Sequence, residues 1–430
     1  MKKLFVTELK DRVGHEVELK GWIHKVRKMK GFAFVLLRDK TGVVQLVVDE
    51  GPALDQLTAE VSVCLTGRVQ ENPKAPMGIE VIVQDLSVLG QAHYDLLPFS
   101  INGRDIDATF EKQLDYRYLS LRRPDRRAVF TVQEEIVEAF RSYLRGQRFS
   151  EVHTPKIIAS ETEGGSEVFT VDYFGRRTFL AQSPQFYKQM MVGAGFERVF
   201  EIGHAYRAEL HSTWRHLNEY VSLDVEMGFI ESEEELMDLE EDLLKYIFSH
   251  LEATCGPALE RLQVTLPKID SIPRMALAEA QDILLEEYGK PSPKSGIDAE
   301  GEKILSKHIQ ETYGSDFVFL TKYPADKRPA YTMPDADVPG TTKSFDLIFR
   351  GLEITTGGQR IHDYHQLVQN FKDFDIDPGS VDFYMESFRY GMPPHGGFAI
   401  GLERITMMIL GLDNIRQAVL LPRDLNRLTP

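Results

Sequence analysis

The chain has 430 residues, 42% hydrophobic and 27% charged, with a formal net charge of −16. That length predicts two or three domains, and that composition an ordinary globular protein, neither disordered nor collagen-like. No run of about 18 apolar residues occurs, so no membrane-spanning helix is expected. The opening residues, MKKLFVTELK, lack the apolar core of a secretion signal. Two cysteines, Cys64 and Cys255, are too few for a disulfide framework or a thiolate zinc site. Together these features point to the cytoplasm. The acidic total argues against nucleic acid as a partner, but the distribution argues the other way. Between Lys20 and Lys40 seven Lys or Arg stand against one acid, Asp39, while ESEEELMDLEED (231–242) carries much of the acidity.

Residues 14–89 read as five short strands. His15–Trp22 alternates, with Val17 and Leu19 on one face. Phe34–Arg38 and Val43–Val48 flank the turn Asp39–Gly42, a hairpin signal. Val61, Val63 and Leu65 share one face, as do Ile79, Val81 and Val83. Five such strands suit a small barrel. Its cations interleave with aromatics, the pattern of a platform for unpaired bases; Trp22 is expected in the barrel core and Phe34 outside it. The domain division expected is a barrel over 1–90, a polar connector over 91–127, and a mixed helix and strand domain over 128–430 with an insertion at about 240–339. Pro124 marks a boundary. A helix follows, with Val129, Val132, Ile136, Val137, Phe140, Tyr143 and Leu144 at 3–4 residue spacing and Gly146 at its end. Phe149–Ile158, carrying Pro155, reads as a strand.

Three later blocks carry the chemistry. The first is Phe149–Ile158. The second, FEIGHAYRAELHSTWRHLNEYVSLDVE (200–226), puts Arg207 and Glu209 on a strand, Arg215 and His216 on a polar loop, and then a returning strand. The third, GGFAIGLERITMMIL (396–410), opens a helix with Arg404 after a glycine-rich strand. Asp346 and Glu353 are strand carboxylates seven apart, which suits oxygen ligation of a hard cation; the plainer reading is ion pairing with Arg350.

In this order the blocks resemble motifs 1, 2 and 3 of the class II aminoacyl-tRNA synthetases, and within them the compact archaeal-type aspartyl-tRNA synthetases. The strings are TEGGSEVF (162–169), AQSPQFYKQ (181–189), YRAELHSTWRHLNE (206–219), FDLIFRGLEITTGGQRIH (345–362), FRYGMPPHGGF (388–398), GLER (401–404) and the terminal PRDLNRLTP. The resemblance covers essentially the whole chain. Ala399, Tyr206 and Leu421 replace residues commoner in the family, without removing a charge.

The resemblance implies an α+β fold: a five-stranded OB-type barrel that binds the anticodon, then a catalytic domain with an antiparallel sheet flanked by helices. It implies that aspartate attacks the α-phosphate of ATP and that the aspartyl group then passes to tRNA, with Mg2+ as cofactor. Arg207, Glu353 and Arg404 become the expected catalytic residues. Ala208, Glu209, Arg215, His216, Leu217, Tyr220, Gly401, Leu402 and Glu403 join them around ATP. Asp346, Glu353 and Thr356 would hold the metal. Lys188 and Arg360 would face the aspartate side-chain carboxylate, and asparagine in its place would leave them without a counter-charge; Glu163, Gln185 and Asp224 would hold the ammonium, with Ser183, Arg207 and Thr356 nearby. A homodimer is implied, with the helix 129–144 and Pro155 at its interface.

In the barrel the resemblance assigns Arg27, Phe34 and Gln45 to the anticodon. Discriminating relatives typically carry Trp and Lys where this chain has His24 and Pro76. Proline lacks both a side-chain donor and an N–H. The expectation is therefore a non-discriminating enzyme that aspartylates tRNA(Asp) and tRNA(Asn), with a tRNA-dependent amidotransferase downstream. The alternatives are a strictly discriminating aspartyl enzyme, an asparaginyl-tRNA synthetase, an adenylate-forming asparagine synthetase, and a non-catalytic RNA-binding paralogue.

Overall fold

The computed structural model describes residues 4–92, 97–103, 105–162 and 167–430. The chain divides into two compact units, Met1–Pro124 and Asp125–Pro430.

In the first unit β1 (Glu16–Lys28), β2 (Phe32–Arg38), β3 (Val43–Asp49), β4 (Ser62–Glu71) and β5 (Ile79–Gly90) close a barrel in the order β1-β2-β3-β5-β4. The small five-stranded barrel expected from the alternating pattern is present, as is the OB type that the resemblance implied. Val17, Leu19, Val35, Leu37, Val44, Leu46, Val63, Leu65 and Val81 point inward and fill it. Asp39 fixes the β2–β3 turn by accepting from the Thr41 and Gly42 N–H groups, and ties down the N-terminal turn by accepting from Val6 N at 2.9 Å.

One expectation for this barrel fails, and one of its cations is not where a basic face would put it. Trp22 is not in the core: it is 37% exposed, with the Arg122 guanidinium 5.3 Å from its ring centroid. Arg38 is not a surface cation: it is buried and donates to Glu60 Oε2 at 2.8 Å, an acceptor shared with Arg122. Arg38 and Glu60 form a buried ion pair.

The second unit is built on two sheets. Its strands are β6 (Ser150–Glu151), β7 (Ile157–Ile158), β8 (Thr170–Tyr173), β9 (Arg176–Leu180), β10 (Arg198–Tyr206), β11 (Glu219–Gly228), β12 (Arg274–Ala276), β13 (Phe317–Thr321), β14 (Ser344–Phe349), β15 (Leu352–Arg360) and β16 (His395–Gly401). Eight form one sheet in the order β12-β13-β14-β15-β16-β11-β10-β6, antiparallel except for the edge pairs β12–β13 and β10–β6; β7, β9 and β8 form a small second sheet. Helices Pro124–Gly146 and Glu234–Thr254 contribute Val132, Ile136, Phe140, Leu243, Ile247 and Leu251 to the core under the large sheet.

The helix predicted over 129–144 runs from Pro124 to Gly146. Pro124 is its first residue, where a missing N–H costs nothing because no helical acceptor precedes it. Its apolar stripe is buried within its own chain, so the stripe does not offer the subunit surface expected of it. Phe149–Ile158 is not one strand. Only its ends pair, each in a different sheet; between them Thr154 binds Glu201 through its N–H at 3.1 Å and its hydroxyl at 2.6 Å. Residues of 240–339 supply β12 and β13 and, with Ile348 of β14, a hydrophobic cluster around Leu284, Leu305 and Leu320.

Candidate active site

The antiparallel strands β10, β11, β16, β15 and β14 lie side by side, and a cleft of about 450 Å³ opens over them. Arg207 and Glu209 lie just beyond the end of β10, in the loop to β11, rather than on the strand as expected. Asn218 closes the base of that loop: its amide donates to the carbonyls of Arg207 at 2.7 Å and Glu209 at 3.1 Å, and its carbonyl accepts from Arg207 N. Arg207 stands over the Tyr220 ring at 5.6 Å. Arg404 comes from the helix Leu402–Leu410 after β16 and donates to the Glu353 carbonyl at 2.9 Å and carboxylate at 3.4 Å. Arg215 donates to Glu302 Oε2 at 2.8 Å. His216 accepts or donates at 2.6 Å with Thr213; burial, with Arg404 and Arg215 beside it, holds its pKa below the usual value.

Of the residues expected around ATP, the cleft is lined by Arg207, Glu209, Arg215, His216, Leu217, Tyr220, Glu353, Gly401, Glu403 and Arg404. Ala208 and Leu402 do not line it. Ala208 N bonds to Glu167 O, and Leu402 is buried in the core. Glu403 accepts the Val221 N–H on both oxygens at 3.1 Å, and burial pushes its pKa up to about 7. That carboxyl fastens the helix to β11.

At the deep end, Lys188 Nζ sits 3.0 Å from Asp224 and 3.3 Å from Glu226, and is 2% exposed. Arg360 donates to Glu226 through Nε at 3.1 Å and Nη2 at 3.4 Å, and to Gly397 O at 3.0 Å. Burial opposes the Glu226 charge, but Arg360 and then Lys188 outweigh it and hold its pKa below the usual range. The two cations therefore already have counter-charges, contrary to expectation. Glu226 escaped the sequence reading, although it lies two residues past Asp224 and so on the same strand face. Gly397 permits its position: a Cβ there would fall 2.4 Å from Glu226 Oε2 and 2.0 Å from Val225 O. Gln185 reaches Arg360 at 3.5 Å and leaves its own buried Nε2 without a partner. Ser183 and Thr356 line the same cleft; Glu163 lies outside the described residues.

Asp346 on β14 stands opposite Thr356 on β15. It lines a smaller cavity of about 210 Å³ whose wall shares Glu353 with the cleft. Neither Asp346 nor Glu353 pairs with Arg350, which binds Asp316 instead. Asp346 meets Arg328 at 2.8 Å, a partner from a distant segment with no local sequence signal. Burial, and next the Asp346 charge, push the Glu353 pKa up. Thr356 donates to Glu353 Oε1 at 3.3 Å. Among the described residues no three His, Cys, Asp or Glu side chains cluster as a metal site. Two carboxylates that raise each other's energy, with the buried Asp346 Oδ1 unpartnered, still fit a magnesium ion, which takes one or two protein carboxylates and completes its shell from phosphates and water.

On the barrel, Arg27 pairs in register with Phe34 on the outer face, and Phe34 meets Phe32 edge-on at 5.2 Å. Gln45 shares that face and donates to Glu80 at 2.8 Å. Burial opposes the Glu80 charge, yet bonds from Asn72, Gln70 and Gln45 hold its pKa down. Glu80, a second residue missed from sequence, thus anchors both Gln45 and the Asn72–Gly78 loop containing exposed Pro76. His24 is the extra residue of a β-bulge between Ile23 and Lys25. The bulge turns its ring to Arg38 at 2.9 Å, and burial, then Arg38, lowers its pKa.

Comparison with known proteins gives the family of both parts of the chain. Residues 17–89 match the OB-fold nucleic acid binding domain, and residues 109–425 match tRNA synthetases class II (D, K and N). The chain is 48% identical to the aspartate–tRNA(Asp/Asn) ligase of Deinococcus radiodurans over 100% of its own length and 99% of the relative's. It is 41% identical to the aspartate–tRNA(Asp) ligase of Pyrococcus abyssi, covering 97% of each chain. Among solved structures, the asparaginyl-tRNA synthetase of Pyrococcus horikoshii complexed with asparaginyl-adenylate superposes with a TM-score of 0.93 at 30% identity, over 100% of both chains. With a family match of that extent and full-length relatives at that identity, the chain belongs to the class II tRNA synthetases of the D, K and N group.

Proposed function

We propose that this protein is an ATP-dependent aspartate–tRNA ligase that forms aspartyl-adenylate and charges both tRNA(Asp) and tRNA(Asn). The observation that carries the reading is the charge balance at the deep end of the cleft. Lys188 and Arg360 are neutralised by Asp224 and Glu226. A bound amino acid brings an ammonium, which Asp224, with Gln185 and Glu163, takes over. Lys188 is then left for a side-chain carboxylate. With the α-carboxylate held by Arg207 outside this cluster, the ammonium and side-chain carboxylate of aspartate leave the four charges balanced; asparagine leaves one buried positive charge unmatched, which disfavours it by roughly 3 kcal/mol or about a hundredfold. Pyrophosphate exchange tests this: strong exchange with aspartate and at most about a hundredth with asparagine is expected. Equal exchange would make the chain asparaginyl-like, as its solved neighbour is named.

The remaining roles are proposed on side chains that line the cleft. Arg207 holds the α-phosphate with its planar fork, Arg215 and His216 take the outer phosphates, and Arg404 and Tyr220 enclose adenine, whose amino group Glu209 accepts. This positions the aspartate carboxylate in line with the α-phosphate, the main requirement of phosphoryl-group chemistry. Mg2+ held by Asp346 and Glu353, with Thr356 beside them, would neutralise phosphate charge. Arg27, Phe34 and Gln45 take the anticodon by stacking and base-edge hydrogen bonds.

Tolerance of tRNA(Asn) is supported by two features: His24 is turned toward Arg38, and Pro76 has no donor. Charging of the two transcripts with labelled aspartate is the test. Use of tRNA(Asn) at under about a hundredth of the tRNA(Asp) efficiency, near 2.7 kcal/mol, means a discriminating enzyme. The aspartylated tRNA(Asn) would then need a tRNA-dependent amidotransferase. No described helix is long and apolar enough to cross a membrane, and a cytoplasmic homodimer is the setting we propose.

A further inference from the structure

The helix Ala299–Tyr313 comes from a segment far in sequence from the motif 2 loop, yet two adjacent residues of it grip two adjacent residues of that loop. Glu302 accepts from Arg215 Nη1 at 2.8 Å, and the Lys303 ammonium lies 5.2 Å from the centre of the Trp214 ring. The pair is shielded: the Glu302 side chain is 6% exposed and that of Arg215 22%. Both ends of the grip are fixed. Asp298 caps the helix by accepting from Gly301 N at 2.8 Å. The helix rests on the β14–β15 turn, where Gly351, at φ +86°, leaves no room for a Cβ beside Lys303 Cα. On the loop side, the Trp214 carbonyl accepts from Ile415 N at 2.8 Å.

A guanidinium has five N–H donors in a rigid fork. Glu302 engages one nitrogen, and Arg215 still lines the cleft. We propose that Glu302 is a positioning residue: it holds the Arg215 guanidinium in one orientation, so that the donors it does not engage face the outer phosphates of ATP. The inference rests on the ATP-dependent reading above. It makes the helix Ala299–Tyr313, which carries none of the three motifs, part of the phosphate site. Without Glu302, Arg215 keeps its charge but must be ordered by ATP itself, and that ordering weakens binding.

The chain has two tryptophans, so Trp22→Phe leaves Trp214 as the sole reporter of the loop. In that background ATP binding is measured by calorimetry and by Trp214 emission, beside pyrophosphate exchange and thermal melting. Glu302→Ala is expected to raise the ATP dissociation constant about tenfold, and Glu302→Gln, which keeps an acceptor oxygen, about threefold. Exchange at saturating ATP should change much less than ATP affinity. A Glu302→Ala protein that melts earlier but binds ATP within about twofold of its parent overturns the proposal in favour of a purely structural contact. Tighter ATP binding overturns it too, because Glu302 would then be holding Arg215 away from the phosphates. If the parent itself neither binds ATP nor supports exchange, the ATP-dependent reading fails first and takes this inference with it.

Discussion

At the deep end of the cleft Lys188 pairs with Asp224 at 3.0 Å and Glu226 at 3.3 Å, and Arg360 with Glu226 at 3.1 Å; on the proposed function, amino-acid choice depends on their balance. Lys188→Met should cut aspartate-dependent exchange at least about a hundredfold and asparagine-dependent exchange far less, so that the preference narrows. The same change strands Asp224 and Glu226 partly unpaired and should cost about 3–5 kcal/mol of stability, read by denaturant unfolding. Glu240 offers a second test, away from the cleft. It is fully buried under the sheet, and burial raises its pKa to about 8 although the Thr355 hydroxyl opposes the shift. A carboxyl raised in the fold stabilises fully below its ordinary value near 4.5 and loses that contribution as pH rises toward 8. The loss is about 1.4 kcal/mol per pH unit. Glu240→Gln should therefore melt progressively higher than the parent as pH goes from 5 to 8; a constant difference in Tm would refute the assignment.

At the scale of elements, the close approach of β16 to β11 sets the pocket floor. Gly397→Ala pushes a methyl into the Val225 carbonyl and the Glu226 carboxylate. Such a clash between backbones cannot relax by a rotamer change, so a loss of about 2–3 kcal/mol and near-complete loss of aspartate activation are expected, read by thermal melting and pyrophosphate exchange. The strands and the long helix were legible because hydrophobic periodicity is local: alternation marked the barrel strands, and 3–4 spacing marked Pro124–Gly146. Phe149–Ile158 misled because its ends pair in two different sheets. An extended segment reads alike whether it pairs or merely connects.

For the whole molecule, the prediction concerns assembly. The apolar stripe of Pro124–Gly146 is buried in its own chain, so a homodimer must use other surface. Ile157, two residues past Pro155, is 48% exposed and is the side chain we expect at that interface. Sedimentation should give about twice the 49.0 kDa monomer mass, and Ile157→Arg should shift the protein toward monomer at micromolar concentration. A parent that sediments as a monomer would exclude the dimer.

The amino-acid sequence by itself determined the fold class and the barrel followed by the mixed sheet through local periodicity, and resemblance to a family named most of the charged residues that line the cleft, but not the segment around Arg328 and Tyr331 that also lines it. Which charges face one another was decided only by tertiary structure. Asp346 meets Arg328, Arg215 meets Glu302, and Lys188 shares Glu226 with Arg360. Trp22 lies exposed, while Arg38 is buried on Glu60. The physical reason is common to all of them. A buried charge needs a partner in space, and strand order in a sheet brings together residues whose separation along the chain carries no signal.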